Sequence, residues 1–390
     1  MDHKIVFNKI EKALNASPYD ALIITGVDNL LYFSGTSLQN LYSQKNQPIY
    51  LFWKKGSQPI CICPVIWEST LREISSIMHF YPYSLSADNH QAVINNLVNL
   101  INQETAPGST IGIDMERIDS ATFRILKDWV GNRRFSPADS WIKTLRMVKT
   151  SEEVDLLKTI AARTEHGISG SSHHLSTLGG KTEKFQSEDV RVHCMEREMD
   201  TTGYHCLSLV ASGEHAKKMW PIAPRFGLGR NKNINAGDIV RIEMQAVLDG
   251  YWSNLAKILI KGDYTPALKD KYQQLVQIRD FVVKSLKPGI TCSQAAVAVA
   301  AEAKRQDVVL LEGTPIGHSI GVTPREAPYL VDGDDTVITK DMWFAIDIGM
   351  RLETGEIFRL KDMVWVKEDG AEIIGWYQNW NHPYITAYTF

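Results

Sequence analysis

Residues 237–248 read Gly-Asp-Ile-Val-Arg-Ile-Glu-Met-Gln-Ala-Val-Leu. The apolar run Ile239–Leu248 within them predicts a long strand. Met342–Ile348 predicts another. Around these the apolar spacing is helical, over about 151–170, 184–200 and 265–287, and again at Ser293–Ala303 after Gly289-Ile290-Thr291. Long strands kept apart from helices predict an α+β domain. Its start shows near Ala138–Arg146. Beyond that, Ser151 provides a helix cap, Glu152 and Glu153 an acidic first turn, and Leu156, Leu157, Ile160 and Ala161 an apolar stripe.

Upstream the pattern differs. Ala21–Thr25, Pro48–Trp53, Pro59–Val65 and Thr110–Asp114 read as strands, and Leu71–Met78, Ala92–Gln103 and Ser120–Val130 have helical spacing. Such alternation predicts a small α/β layer domain. The expected division is residues 1–140 and residues 141–390.

Composition sets limits on function. The chain has 390 residues, long enough for two domains, with 44% hydrophobic and 22% charged residues, which is globular rather than disordered. Lys+Arg 42 against Asp+Glu 45 leaves a net charge of -3, which argues against a dedicated binder of nucleic acid or anionic membrane. No window approaches the roughly 18 apolar residues of a membrane span. Cys61, Cys63, Cys194, Cys206 and Cys292 are an odd, scattered set, pointing to a reducing compartment and a cytoplasmic protein. Cys61 and Cys63 are expected on one side of a strand, as buried residues.

Several segments together resemble the pita-bread family of methionine aminopeptidase, aminopeptidase P, prolidase and creatinase. Asn29–Gly35 is similar to a turn of the creatinase-type leading domain, and Leu145–Glu153 to the junction that opens the second domain. Ala211-Ser212-Gly213, Gly237–Glu243, Gly250–Asn254, Gly317–Gly321 and Glu368–Glu372 continue the series in order. The resemblance implies a pita-bread C-terminal domain behind a smaller α/β creatinase-type N-terminal domain. It also implies a homodimer in which the leading domain of one chain covers the partner's site.

The family's peptidases hold two metal ions with Asp, Asp, His, Glu and Glu. By motif those positions are here Glu243, Asn254, His318, Asp347 and Lys361, with Glu243 and Asn254 at the family's eleven-residue separation. One carboxylate has become a neutral amide. Another has become a cation without a lone pair to offer. A pair of metal ions is therefore not expected, and no cofactor is implied; Lys361 stands in for the lost metal charge. A single ion on Glu243, His318 and Asp347 stays open, as does a purely structural ion pair of Lys361 with Glu243.

Creatinase is the member of the family that works without metal. Ser319 after His318, the Arg325-Glu326-Ala327 stretch, and the Gly375 to His382 spacing resemble it. The resemblance implies that Arg325 meets a substrate carboxylate, a task suited to its planar fork. The departures are equally plain. Trp220 stands at creatinase's catalytic histidine, Ala256 and Leu360 at its substrate-gripping glutamates, and Leu38–Gln44 holds no arginine. Creatine is thus not an expected substrate.

The candidate roles follow. His318 is the expected acid/base, with His382 and His215 as other candidates, because histidine titrates near neutrality. Asp347 is the expected orienter of His318 or a proton acceptor, and Glu243 can accept a proton if burial raises its pKa. Lys361 would stabilise developing negative charge, Arg325 hold a carboxylate, and Trp220 shape the pocket wall, with Asn254 beside them. The leading expectation is a metal-independent enzyme acting on a small carboxylate-bearing metabolite by C–N hydrolysis, lysis, isomerisation or cyclisation, in specialised metabolism. A non-catalytic binding protein and a one-metal peptidase are the alternatives. The glycine loop Gly227-Leu228-Gly229, with Arg225, Arg230 and Lys232, lacks a phosphate-loop pattern.

Overall fold

The computed structural model describes residues 3–36, 47–86, 89–177, 181–200, 206–220, 231–375 and 380–386. The stretch Leu38–Gln44 and residues 225–230 lie outside them. The chain divides into two compact units, Met1–Arg146 and Met147–Phe390. The division falls beyond residue 140 because the helix Asp139–Met147 packs largely with the first unit.

The first unit is a six-stranded sheet with helices. Its strands are β1 (Ala21–Ile24), β2 (Tyr50–Lys54), β3 (Ile60–Ile62), β4 (His79–Phe80), β5 (Thr110–Ile113) and β6 (Arg134–Pro137), in the order β4-β3-β2-β1-β5-β6. Central β1 pairs antiparallel with β2 and parallel with β5. All four of its residues are buried, which is why its sequence is a continuous apolar run rather than an alternating one. Cys61 and Cys63 are buried thiols.

Two sequence expectations shift here. The helix expected over Leu71–Met78 instead spans Val65–Ile74. It begins directly after Pro64 and stops at Ser75, whose extended backbone ends the turn and whose hydroxyl bonds the Leu71 carbonyl at 2.6 Å. Residues 29–34 form not a turn but the end of the helix Val27–Ser34, closed by Gly35 at φ 72, the left-handed cap that glycine adopts without strain.

The second unit is built on a nine-stranded sheet. Its strands are β7 (Leu207–Ser212), β8 (Ile239–Gln245), β11 (Leu255–Lys261), β12 (Gly317–Ser319), β13 (Glu326–Tyr329), β14 (Trp343–Arg351), β15 (Ile357–Val366), β16 (Ala371–Ile374) and β17 (Tyr384–Thr386). A small hairpin, β9 (Val247–Leu248) with β10 (Tyr251–Trp252), links β8 to β11. The main order is β13-β12-β14-β15-β11-β8-β7, with β16 added to β15 and β17 to β11. Helices Ser151–Thr177, Glu183–Met195, Pro266–Ser285 and Cys292–Arg305 accompany the sheet. The last two begin at Thr265 and Thr291, whose hydroxyls accept from backbone N–H groups three residues on; Gln294 completes a capping box.

Pro266–Ser285 and Cys292–Arg305 share one core with the strands, where Tyr272, Leu275, Ile278 and Val299 pack with Phe344, Ile346, Phe358 and Val364. Apolar side chains fill one face of β14 and β15, so the alternate positions of these strands point to the other face. There the charged residues collect. Among the described residues no helix is long and apolar enough to cross a membrane.

Candidate active site

The strand register lines up the candidate residues. Glu243 on β8 is paired with Ala256 on β11, Ala256 with Lys361 on β15, and Lys361 with Asp347 on β14. Directly paired residues of antiparallel strands share a face. Glu243, Ala256, Lys361 and Asp347 therefore form one row across four strands. Ala256 has only a methyl group, so Lys361 reaches past it and donates to Glu243 Oε2 at 2.9 Å. His318 pairs with Ala345, two residues from Asp347, and belongs to the same face. Gly317 lets β12 approach β14: a Cβ there would lie 3.1 Å from the Ala345 carbonyl oxygen and 2.8 Å from Leu330 Cδ1.

Two arginines complete the cluster. Arg359 grips Asp347 with a two-pronged fork, Nε to Oδ1 and Nη2 to Oδ2, both at 2.7 Å. Its Nη1 donates to Glu243 at 3.0 and 3.2 Å. Arg241 Nε lies 3.0 Å from Glu243 Oε1 as an ion pair without an aligned hydrogen bond. Arg241 Nη2 also donates to the carbonyls of Lys218 and Met219 at 2.7 and 2.9 Å, fixing the segment that ends in Trp220. Neither arginine was among the sequence candidates. The signal was their spacing: each stands two residues before a candidate on the same strand, hence on the same face.

These contacts decide the protonation states. Burial by itself would raise the Glu243 carboxyl, but Lys361, Arg359 and Arg241 outweigh it and bring it down to about 2. Asp347 is lowered in the same way: burial works against it, while Lys361 and Arg359 prevail. Neither carboxylate is the raised-pKa proton acceptor that the sequence left open. For His318, burial is the main cause of a fall to about 4, so the ring is neutral near neutral pH. Its Nδ1 lies 2.9 Å from the Ser319 carbonyl, to which it donates, leaving the Nε2 lone pair toward the site. The orienter of His318 is thus the Ser319 carbonyl rather than Asp347.

The other candidates divide. Asn254 is buried next to His318; its Nδ2 is 3.4 Å from His318 Nε2 and donates to the Pro324 carbonyl at 3.2 Å. Arg325 brings Nη2 to 3.7 Å from Asp347 Oδ2 from a partly exposed position. Trp220, 46% exposed, has its ring 5.6 Å from the Arg359 guanidinium and 5.9 Å from the Lys361 ammonium, a cation–π cover rather than a core residue. His215 is bound at 2.7 Å to buried Glu183, which also accepts from Ser212, so its described contacts are structural. His382 is exposed, with Nδ1 3.1 Å from Gln273 on the helix Pro266–Ser285. No described contact joins His382 to the row.

The donor set does not fit divalent metal. Each carboxylate is already engaged by at least two cations, Asn254 is neutral, and Lys361 sits where a fifth ligand would be needed. One or two ions would have to displace these hydrogen-bonded cations. Among the described residues, His174, Asp189 and His193 form a separate group with ligand atoms within 4.8 Å of one another. There too a lysine intrudes, with Lys181 Nζ 3.9 Å from Asp189 Oδ2.

Comparison with known proteins covers nearly the whole chain. The profile of metallopeptidase family M24 matches residues 155–368, and that of the Creatinase/Prolidase N-terminal domain matches residues 7–148. The Xaa-Pro dipeptidase of Lactobacillus helveticus is 21% identical over 371 residues, covering 93% of this chain and 94% of that protein. A putative dipeptidase, YkvY, of Bacillus subtilis is 20% identical over 372 residues, covering 93% and 96%. The crystal structure of an X-Pro aminopeptidase from Thermotoga maritima superposes with a TM-score of 0.80 at 18% identity, covering 97% of this chain and 99% of that one.

Proposed function

The chain belongs to metallopeptidase family M24, with the pita-bread fold behind a creatinase-type N-terminal domain, and from this we propose that it hydrolyses a C–N bond in a small carboxylate-bearing substrate without metal. The observation that carries the proposal is the row Glu243–Lys361–Asp347–Arg359, in which protein cations take up the carboxylates that would otherwise hold ions. The C–N bond is supported by relatives named as dipeptidases and aminopeptidases. A role in specialised metabolism has no support in these relatives.

The proposed chemistry uses groups already poised. Neutral His318 takes a proton from water at Nε2 as the oxygen adds to the carbonyl carbon. One N–H of Lys361 not used by Glu243 is available to donate to the oxyanion that forms. His318 then returns the proton to the departing nitrogen as the C–N bond breaks, giving an acid and an amine. Arg325 holds the substrate carboxylate, and Trp220 closes over it.

The test is turnover of Xaa-Pro dipeptides and N-acyl amino acids by protein stripped with a chelator. Wild type should retain full activity, and His318→Ala should lose about 100-fold or more in kcat. Activity that appears only on adding a divalent metal would overturn the proposal. A second reading, a non-catalytic binding protein, is favoured by one observation: both carboxylates are fully ion-paired and neither can act as a base. A saturable ligand that neither wild type nor His318→Ala turns over would support it.

A further inference from the structure

The cluster is unbalanced in charge. Arg241, Arg359, Lys361 and Arg325 bring four positive charges, against two negative charges from Glu243 and Asp347. Three of the cations are almost completely buried: Arg241 at 0%, Arg359 at 1% and Lys361 at 1% exposure. A histidine ring is neutral or cationic and an amide is uncharged, so neither His318 nor Asn254 offsets the excess. Buried charge without a counter-charge is costly, and a complementary ligand removes the cost.

Polar groups in the cluster also lack partners. Asn254 Oδ1 is buried and accepts no hydrogen bond among the described residues. Its own Nδ2 donates to the Pro324 carbonyl and lies 3.4 Å from His318 Nε2, so Oδ1 is left to receive an N–H or O–H from outside. The Arg325–Asp347 separation of 3.7 Å is too long for a hydrogen bond, which leaves the arginine fork able to turn to a ligand at the rim. Among the described residues Lys361 donates a hydrogen bond to Glu243, at 2.9 Å, its other carboxylate neighbour being 3.7 Å away, which leaves N–H groups of the ammonium to give.

We infer that the ligand of this cluster is a dicarboxylate that also carries an N–H donor, one carboxylate meeting Arg325, the other meeting Lys361, and the N–H meeting Asn254 Oδ1. This rests on the proposed carboxylate-reading role of the site and names the ligand class within it. A ligand with a single carboxylate could meet either buried Lys361 or rim Arg325, and would leave the other without a carboxylate. A ligand without the N–H would leave Asn254 Oδ1 buried and unpaired.

Calorimetric titration of the full chain with four probes tests this. N-acetyl-L-aspartate has both carboxylates and the N–H; N-acetyl-L-asparagine has the same shape and one charge fewer; succinate lacks the N–H; inorganic phosphate is a compact dianion. The aspartate derivative should bind at least about tenfold tighter than the asparagine derivative, with succinate weaker than the former. Arg325→Gln, at a partly exposed position, should remove most of that gap with an unchanged melting curve. Asn254→Ala should erase the advantage over succinate. Equal binding of the two N-acetyl compounds would overturn the dicarboxylate and leave the carboxylate-reading role standing. Phosphate binding tighter than every carboxylate would overturn the carboxylate identity of the dianion. No binding by any carboxylate would overturn both the inference and the reading beneath it.

Discussion

Lys361 Nζ lies 2.9 Å from Glu243 Oε2, on strands held one apart by β11, and it reaches across because the residue between them is Ala256. A bulkier side chain at 256 would hold the two charges apart. The pair is also not isolated, since Glu243 faces Arg359 and Arg241 as well. That surplus of cations makes its two partners unequal.

Removing the anion should therefore cost more than removing one cation. Glu243→Gln leaves Lys361, Arg359 and Arg241 buried with Asp347 as their main counter-charge, and should lower stability by about 4 kcal/mol, as for a buried pair broken from one side. Lys361→Met leaves Glu243 with two arginines and should cost only about 2 kcal/mol. Urea denaturation midpoints of the two variants check the order. The reverse order would mean that Lys361 alone neutralises Glu243.

Acid should weaken the fold in two successive windows. His318 is lowered to about 4 by burial, whereas the unfolded chain protonates it near its ordinary 6.5, so its contribution is complete above 6.5 and declines as pH falls toward 4. Crossing that window costs about 3 kcal/mol for this buried ring. Glu243 stays charged down to about 2, so its contribution is lost between its ordinary 4.5 and 2. Wild type should lose more stability than His318→Gln between about pH 7.5 and about pH 4.5, measured by urea denaturation. The activity limb should likewise lie near pH 4, not near 6.5, if neutral His318 is the base.

The sequence disclosed the row but not its chemistry. Glu243, His318, Asp347 and Lys361 could be placed together because their motifs match the positions that the resembled family uses for its metal ligands, not because the sequence shows which strands adjoin. The residue types at Asn254 and Lys361, an amide and an ammonium where the resemblance implies carboxylates, were legible directly. What stayed hidden depended on pairing between strands distant in sequence. Nothing near residue 256 shows that Ala256 lies between Glu243 and Lys361, and nothing near Arg359 shows its fork closing on Asp347. His382 misled for the complementary reason: a matching spacing from Gly375 does not say which face the histidine joins, and it meets Gln273. Short local signals failed similarly at residues 71–78, where the apolar spacing persisted beyond the Ser75 stop.

Trp220 is expected to act on ligand and cations together. Trp220→Ala removes a ring 5.6 Å from Arg359 and 5.9 Å from Lys361 and opens them to water. The stability loss should be about 1 kcal/mol, since the ring is half exposed. Ligand affinity should fall further, by about tenfold, because screening weakens every charge contact below it. Trp220→Phe, which keeps a π-face, should recover most of the affinity. If Phe and Ala behave alike, the ring is not acting through the cations.

Restoring the two missing donors should restore a metal site. By the motif match, the family's peptidases carry carboxylates where this chain has Asn254 and Lys361. The double variant Asn254→Asp, Lys361→Glu would convert the row into a five-donor set with Glu243, His318 and Asp347. It removes one buried cation and adds two anions, turning an excess of positive charge into a deficit that hard divalent ions can fill. Arg359 would still hold Asp347 and Glu243 in place from the adjacent same-face position. Manganese titrated into the double variant should bind saturably and raise its melting temperature, while wild type shows no saturable binding at this row. Either single variant should bind far more weakly, because Asn254→Asp alone leaves the Lys361 ammonium beside Glu243 and Lys361→Glu alone leaves a neutral amide as ligand. A wild type that binds manganese as well as the double variant would mean that the lysine does not occupy the place of an ion.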